Sequence, residues 1–161
     1  MLPTPIGRLV SVCALSEAKI GVMTHAFNYG LAVFEGIRGN WNEDDQTTYL
    51  FRQREHFERL AESSKILGLQ MHDSVDKLCD MATEIVERSG FTEDIYLRPM
   101  VYLSSEVLGV RLHNLESDTL IFLTPFPAYL PEVARCHTST WRRVDDTGIP
   151  PRAKVTGIYV N

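Results

Sequence analysis

Lysine is scarce in this chain. It occurs only at Lys19, Lys65, Lys77 and Lys154, and the other basic residues are arginines. The difference is chemical, because a lysine amine can form a Schiff base with a carbonyl and a guanidinium cannot. Lys154 lies in the stretch IPPRAKVTGIYVN, Ile149–Asn161. Neither composition nor spacing distinguishes it there from a hydrated surface lysine. Arginine offers a second chemistry, a planar fork of donors suited to phosphate or carboxylate. Arg59, in EHFERL, reads either as a solvated residue on the polar edge of a helix or as an anion site. Arg98, in YLRPMVY, shares a strand face with Tyr96, Met100 and Tyr102. A cation between phenols suits a carboxylate ligand or a structural salt bridge equally. In FEGIR, Phe34, Gly36 and Arg38 fall on one face, with Val33, Glu35 and Ile37 on the other. A glycine between an aromatic and an arginine leaves room for a ligand against the sheet, or marks a bulge.

Other chemistries find little support. Met23-Thr24-His25 and His137 offer no metal-ligand spacing. There is no glycine-rich dinucleotide or Walker loop, and no G-x-S-x-G elbow. A net charge of -5, from 16 basic and 21 acidic residues, argues against a nucleic-acid binder. No apolar run approaches the ~18 residues of a membrane span. No basic start followed by an apolar run marks a signal peptide. Cys13, Cys79 and Cys136 are odd in number and far apart, so reduced, mostly buried thiols in a cytoplasmic protein are expected.

Positioning these residues requires a scaffold of mixed type. The 161 residues suffice for one ordinary core. The spacing predicts strands over 8–14, 32–40, 47–52, 95–104 and 119–124. A polar hairpin loop falls at 40–46. Phe57, Leu60, Ala61, Ser64 and Leu67 predict a helix from Glu55, stopped near Gly68. Val75, Leu78, Cys79, Ala82, Ile85 and Val86 predict a second, capped by Asp73 or Ser74 and ended by Gly90. Pro99 inside its strand implies an edge or a bulge. Pro125–Pro131 holds three prolines and reads as a linker, after which Cys136–Arg143 begins another strand. Strands and helices are segregated rather than alternating, so the class is α+β. The expected layout is an N-terminal α+β domain over 1–124, an interdomain loop over 125–135, and the start of a second domain over 136–161.

Read in order, the blocks THAFNYGLAVFEGIRG, YLFRQREHFERLAESSKIL, DIYLRPMVYLSSEVLGV, FPAYL and TSTWRRVDDTGIPPRAKVTGIYVN resemble the N-terminal half of branched-chain amino acid aminotransferases. These are fold-type IV enzymes that use pyridoxal 5′-phosphate (PLP). The resemblance spans essentially the whole chain. It implies that Lys154 is the lysine that forms a Schiff base with PLP and then moves a proton at the substrate. It implies that Arg59 binds the PLP phosphate and that Tyr159 hydrogen-bonds the phenolic oxygen of the cofactor ring. Phe34, Gly36, Arg38 and Tyr29 match the substrate pocket. Tyr96 matches a residue near the substrate α-carboxylate, and Arg98 an arginine that lets the same pocket accept glutamate. Tyr129 resembles a residue of the interdomain loop that closes over a partner subunit's pocket. The substrates implied are branched-chain amino acids, glutamate and their 2-oxo acids, handled by a homodimer or higher homo-oligomer.

D-amino-acid transaminases and aminodeoxychorismate lyases, the nearest alternatives in the class, lack the Glu-Gly-Ile-Arg block. The family also has a second domain of comparable size, which supplies a carboxylate for the pyridine nitrogen and backbone donors for the phosphate. The 161 residues therefore read as a fragment, expected to be inactive alone, or as a non-catalytic remnant acting only by subunit association.

Overall fold

The computed structural model describes residues 11–126 and 132–160. In chain order the elements are α1 (His25–Tyr29), β1 (Ala32–Phe34), β2 (Ile37–Asn42), β3 (Thr47–Leu50), α2 (Gln53–Ile66), α3 (Val75–Ser89), β4 (Ile95–Leu103) and β5 (Ser117–Pro125), with a 3-10 turn at Thr156–Val160. The five strands form one antiparallel sheet. Strand β4 is its centre. On one side it pairs with β5 along its whole length, from Ile95 opposite Pro125 to Leu103 opposite Ser117. On the other it pairs with β1 and β2 laid end to end. Strand β3 returns from a hairpin to flank β2.

Alternation along β4 separates the two faces. Ile95, Leu97, Pro99, Val101 and Leu103 are buried, while Tyr96, Arg98, Met100 and Tyr102 are half-exposed. The buried face carries the helices. Phe57 and Leu60 of α2 and Leu78 and Ala82 of α3 pack with Val33, Ile37, Ile95, Leu97 and Val101 in one apolar cluster. Ala153, Val155 and Ile158 belong to the same cluster. The final segment thus reaches back across the chain to close the core.

The expected α+β class is the one observed, and both long helices form. Ser74 caps α3 by accepting the Lys77 N–H, and Gly90 ends it at φ 65°, where a side chain would be strained. Replacing Ser74 by alanine is expected to lower stability by about 1 kcal/mol. Urea unfolding should register this as a lower midpoint at unchanged slope.

Several expectations fail, each for a physical reason. Residues 11–14 of the predicted first strand pair with no neighbour and Val12 is exposed; 8–10 lie outside the described residues. Cys136–Arg143 is not a strand, since it reaches no sheet edge and Trp141 stays 73% exposed. Cys13 and Cys136 are exposed and Cys79 is half-buried, so the thiols are not mostly buried. Strand β4 is no edge. Its Pro99 carbonyl accepts the Glu35 N–H, and an extended residue turns its N and O to the same side. The missing Pro99 donor therefore faces Glu35-Gly36, where the predicted strand 32–40 is broken into β1 and β2.

Candidate functional site

The break at Glu35-Gly36 organises three side chains. Phe34 turns to the half-exposed face, Glu35 to the helix face, and Gly36 again to the half-exposed face. A Cβ on Gly36 would collide with the Tyr96 hydroxyl, so only glycine admits that phenol. Tyr96 Oη in turn accepts from Arg98 Nη2 at 2.9 Å and Nε at 3.1 Å. The Arg98 guanidinium lies 4.3 Å from the centroid of the Phe34 ring.

Lys154 is brought to the same place by backbone pairing. Its carbonyl accepts the Phe34 N–H, and Val155 forms an isolated bridge with Val33. Ser63, buried on α2, accepts the Lys154 N–H. Thr156 Oγ1 lies within donating distance of the Gly30 and Ala32 carbonyls, at 2.9 and 3.2 Å. So fixed, the Lys154 amine donates to Tyr159 Oη at 2.5 Å and sits 4.4 Å from the Phe34 ring centroid. The Phe34 and Tyr159 rings are 5.3 Å apart.

Two open clefts meet at this pair. One, of about 220 Å³, is lined by Arg59, Arg143, Arg152, Lys154 and Tyr159 together with Pro151, Ala153 and Ile158. The other, of about 440 Å³, is lined by Phe34, Tyr96, Arg98, Lys154, Thr156 and Tyr159. The first is dominated by fixed positive charge and suits an anion. The second joins aromatic walls to one arginine and suits an amphipathic ligand carrying a carboxylate.

Below the clefts lies a buried carboxylate. Glu35 is fully buried, and Arg59 grips it from α2 with two bonds of 2.6 Å, Nε to Oε1 and Nη2 to Oε2. His56 Nδ1 lies 2.9 Å from Oε2. Burial by itself pushes the Glu35 carboxyl up. The Arg59 hydrogen bonds, then that of His56, and the two charges outweigh it and hold the carboxyl below its ordinary 4.5. The same pair holds the Arg59 guanidinium above its ordinary value.

A depressed carboxyl stabilises the fold when ionised. That contribution is present above pH 4.5 and is lost as pH falls through the lower folded value. Glu35→Gln is therefore expected to be less stable than the parent at pH 7 and to lose less on acidification. Melting temperatures measured from pH 7 to pH 3 should converge.

The structure gathers Lys154, Tyr159, Phe34, Tyr96 and Arg98 around one cleft, with Gly36 beneath Tyr96 and Arg59 in the adjoining one. Arg38 and Tyr29 line neither. Arg38 pairs with Asp94 at 3.5 Å and stacks over Phe126, while the Tyr29 hydroxyl accepts the Gly109 N–H. Tyr129 lies outside the described residues. Sequence reading missed Glu35, Ser63, Thr156 and Arg143. Glu35 alone left a signal, an acid between Val33 and Ile37 on a buried face, which demands a cationic partner.

Residues 32–161 match the family model of amino-transferase class IV. A probable branched-chain-amino-acid aminotransferase of Aquifex aeolicus is 40% identical over 157 residues, 96% of this chain and 50% of that protein. The fold superposes on a branched-chain aminotransferase from Thermoproteus uzoniensis, solved with norvaline, at a TM-score of 0.86 and 41% identity, covering 96% of this chain and 50% of that one. It superposes on the branched-chain amino acid aminotransferase of Escherichia coli at a TM-score of 0.82 and 32% identity, covering 92% and 50%. A further branched-chain enzyme, complexed with N-(5′-phosphopyridoxyl)-L-glutamate, superposes at 0.82 and 34% identity, covering 92% and 49%. The chain spans about half the length of these relatives.

Proposed function

The chain belongs to the class IV aminotransferase family, and from that membership we propose that it is the N-terminal part of a PLP-dependent transaminase acting between L-branched-chain amino acids and 2-oxoglutarate. The observation that carries this reading is the Lys154–Tyr159 pair at the meeting of an arginine-lined and an aromatic cleft. Domain limits of 1–124, 125–135 and 136–161 go with it. The relatives' twofold greater length supports a continuation beyond the last of these. A cytoplasmic homodimer or higher homo-oligomer completes the proposal.

The donor set fits PLP. Arg59 spends one edge of its fork on Glu35, which leaves the other for a phosphate in the same cleft. Lys154 supplies the anchoring amine, and Tyr159 a hydroxyl for the ring oxygen. When bound, PLP would supply the electron sink for chemistry at the substrate α-carbon. Lys154 would hold and move the proton at the substrate α-carbon, as a positioned general base and acid. The Tyr159 hydroxyl, accepting from the amine, holds it over the Phe34 ring. Phe34 forms the apolar wall for a branched side chain, Tyr96 lies toward the α-carboxylate, and Arg98 pairs a distal carboxylate. Arg38 of β2 and Tyr29 of α1, which line neither cleft here, and Tyr129 stay in the proposed pocket only as contributors to the site of a second copy.

The test is amino transfer to 2-oxoglutarate from L-leucine, L-isoleucine, L-valine and D-alanine. It is run with the 161-residue chain and with the product of its reading frame continued past Asn161. Turnover of the L-acids by the continued product, and negligible turnover by the shorter chain, is expected. Turnover of D-alanine alone places the chain with the D-amino-acid enzymes. A stop codon directly after Asn161, with no turnover, favours the remnant reading.

A further inference from the structure

We propose that Glu35 is a positioning residue that aims Arg59 at the phosphate of the cofactor, an inference that rests on the PLP reading above. Four observations meet here. Glu35 is fully buried, whereas the Arg59 side chain is 55% exposed, so the carboxylate is the fixed partner and the guanidinium the adjustable one. Both carboxylate oxygens are used, each at 2.6 Å, by Nε and Nη2 of the same fork. That fixes the plane of the guanidinium, which a single bond would leave free to turn. Glu35 is itself anchored at the strand break, by its backbone N–H to the Pro99 carbonyl and by a third carboxylate contact, to His56 Nδ1. What remains of the fork opens on the cleft shared by Arg143, Arg152 and Lys154.

The arrangement looks costly for an anion site, because it puts a negative charge beside the group meant to attract one. That cost separates two accounts. If Glu35 acts on the ligand only through its charge, neutralising it strengthens phosphate binding. If it acts by holding Arg59, neutralising it weakens phosphate binding, because a guanidinium released into solvent must be ordered again at each binding event.

The experiment compares the affinities of PLP and pyridoxal, which differ only in the phosphate, by absorbance titration of the full chain. Wild type is expected to prefer PLP. Glu35→Gln is expected to lose about tenfold of that preference with pyridoxal affinity unchanged. Arg59→Lys keeps the charge but not the fork and sits at the exposed end of the pair, so it tests the same idea if the Gln variant folds poorly. It should lose the preference likewise, and Glu35→Gln added to it should cost nothing more. Preference kept or raised in Glu35→Gln, kept in Arg59→Lys, or lost additively in the double variant overturns the positioning role alone. Equal binding of PLP and pyridoxal by wild type overturns the phosphate reading, and the positioning role with it.

Discussion

Lys154→Ala should abolish covalent capture of PLP. In the wild-type chain, borohydride added with PLP is expected to fix one pyridoxyl group on the peptide containing Lys154, as read by mass spectrometry. In the variant that peptide should stay unmodified. Transamination by the completed protein should fall by about 10²- to 10⁴-fold, the scale of a lost positioned acid-base group. The geometry gives the reason for so large an effect. Among the described residues, nothing else lining the clefts can replace this amine. The neighbouring cations are Arg59, Arg98, Arg143 and Arg152, and guanidinium groups do not form Schiff bases. The Lys154 backbone is held by Phe34 and Ser63 and needs no side chain for either bond, so the variant should fold. Labelling that persists at this site's stoichiometry in Lys154→Ala would sink the assignment.

The second large effect concerns selection between substrates. Arg98→Met should reduce kcat/KM for glutamate and 2-oxoglutarate by about 10²-fold, while leucine with a monocarboxylic 2-oxo acid changes by no more than a few-fold. Arg98 spends Nε and Nη2 on one phenol oxygen. Among the described residues, that leaves Nη1 as the edge offered to a distal carboxylate. Methionine preserves an apolar contact with Phe34 and removes only the charged fork. A branched aliphatic side chain should hardly register the loss, because it never used that charge. Equal losses for both substrate classes would mean that Arg98 acts by holding Tyr96 above Gly36, and the dual-substrate role would fall.

Local physics explains which elements could be read in advance. Helix α3 carries an apolar stripe, an N-cap serine and a terminal glycine, and all three act within one or two turns of the chain. The hairpin between β2 and β3 is equally local. Strand β4 declared its period of two along its length. Its central place was hidden by Pro99, which breaks the rule against proline in central strands only because its empty side meets the gap between β1 and β2. That gap lies far back in the chain, at Glu35-Gly36, beyond any local window. The supposed strands at 8–14 and 136–143 failed for the converse reason. Their β-prone composition was real, but a strand needs a neighbour, and residues 11–14 and 136–143 reach none.

The candidate site divides in the same way. Residue chemistry by itself determined that Lys154 could form a Schiff base, that Arg59 and Arg98 could grip anions, and that Phe34 and Gly36 share a strand face. The order of the motif blocks determined the family. The tertiary structure decided that Lys154 lies over Phe34, although most of the chain separates them, because backbone pairing docks its segment on β1. It also decided that Arg59 is clamped by Glu35 and that Arg38 is spent on Asp94. Periodicity reports which side a residue faces. Only the packing of distant segments determines what it meets there, because pairing and desolvation are properties of the neighbours as much as of the residue.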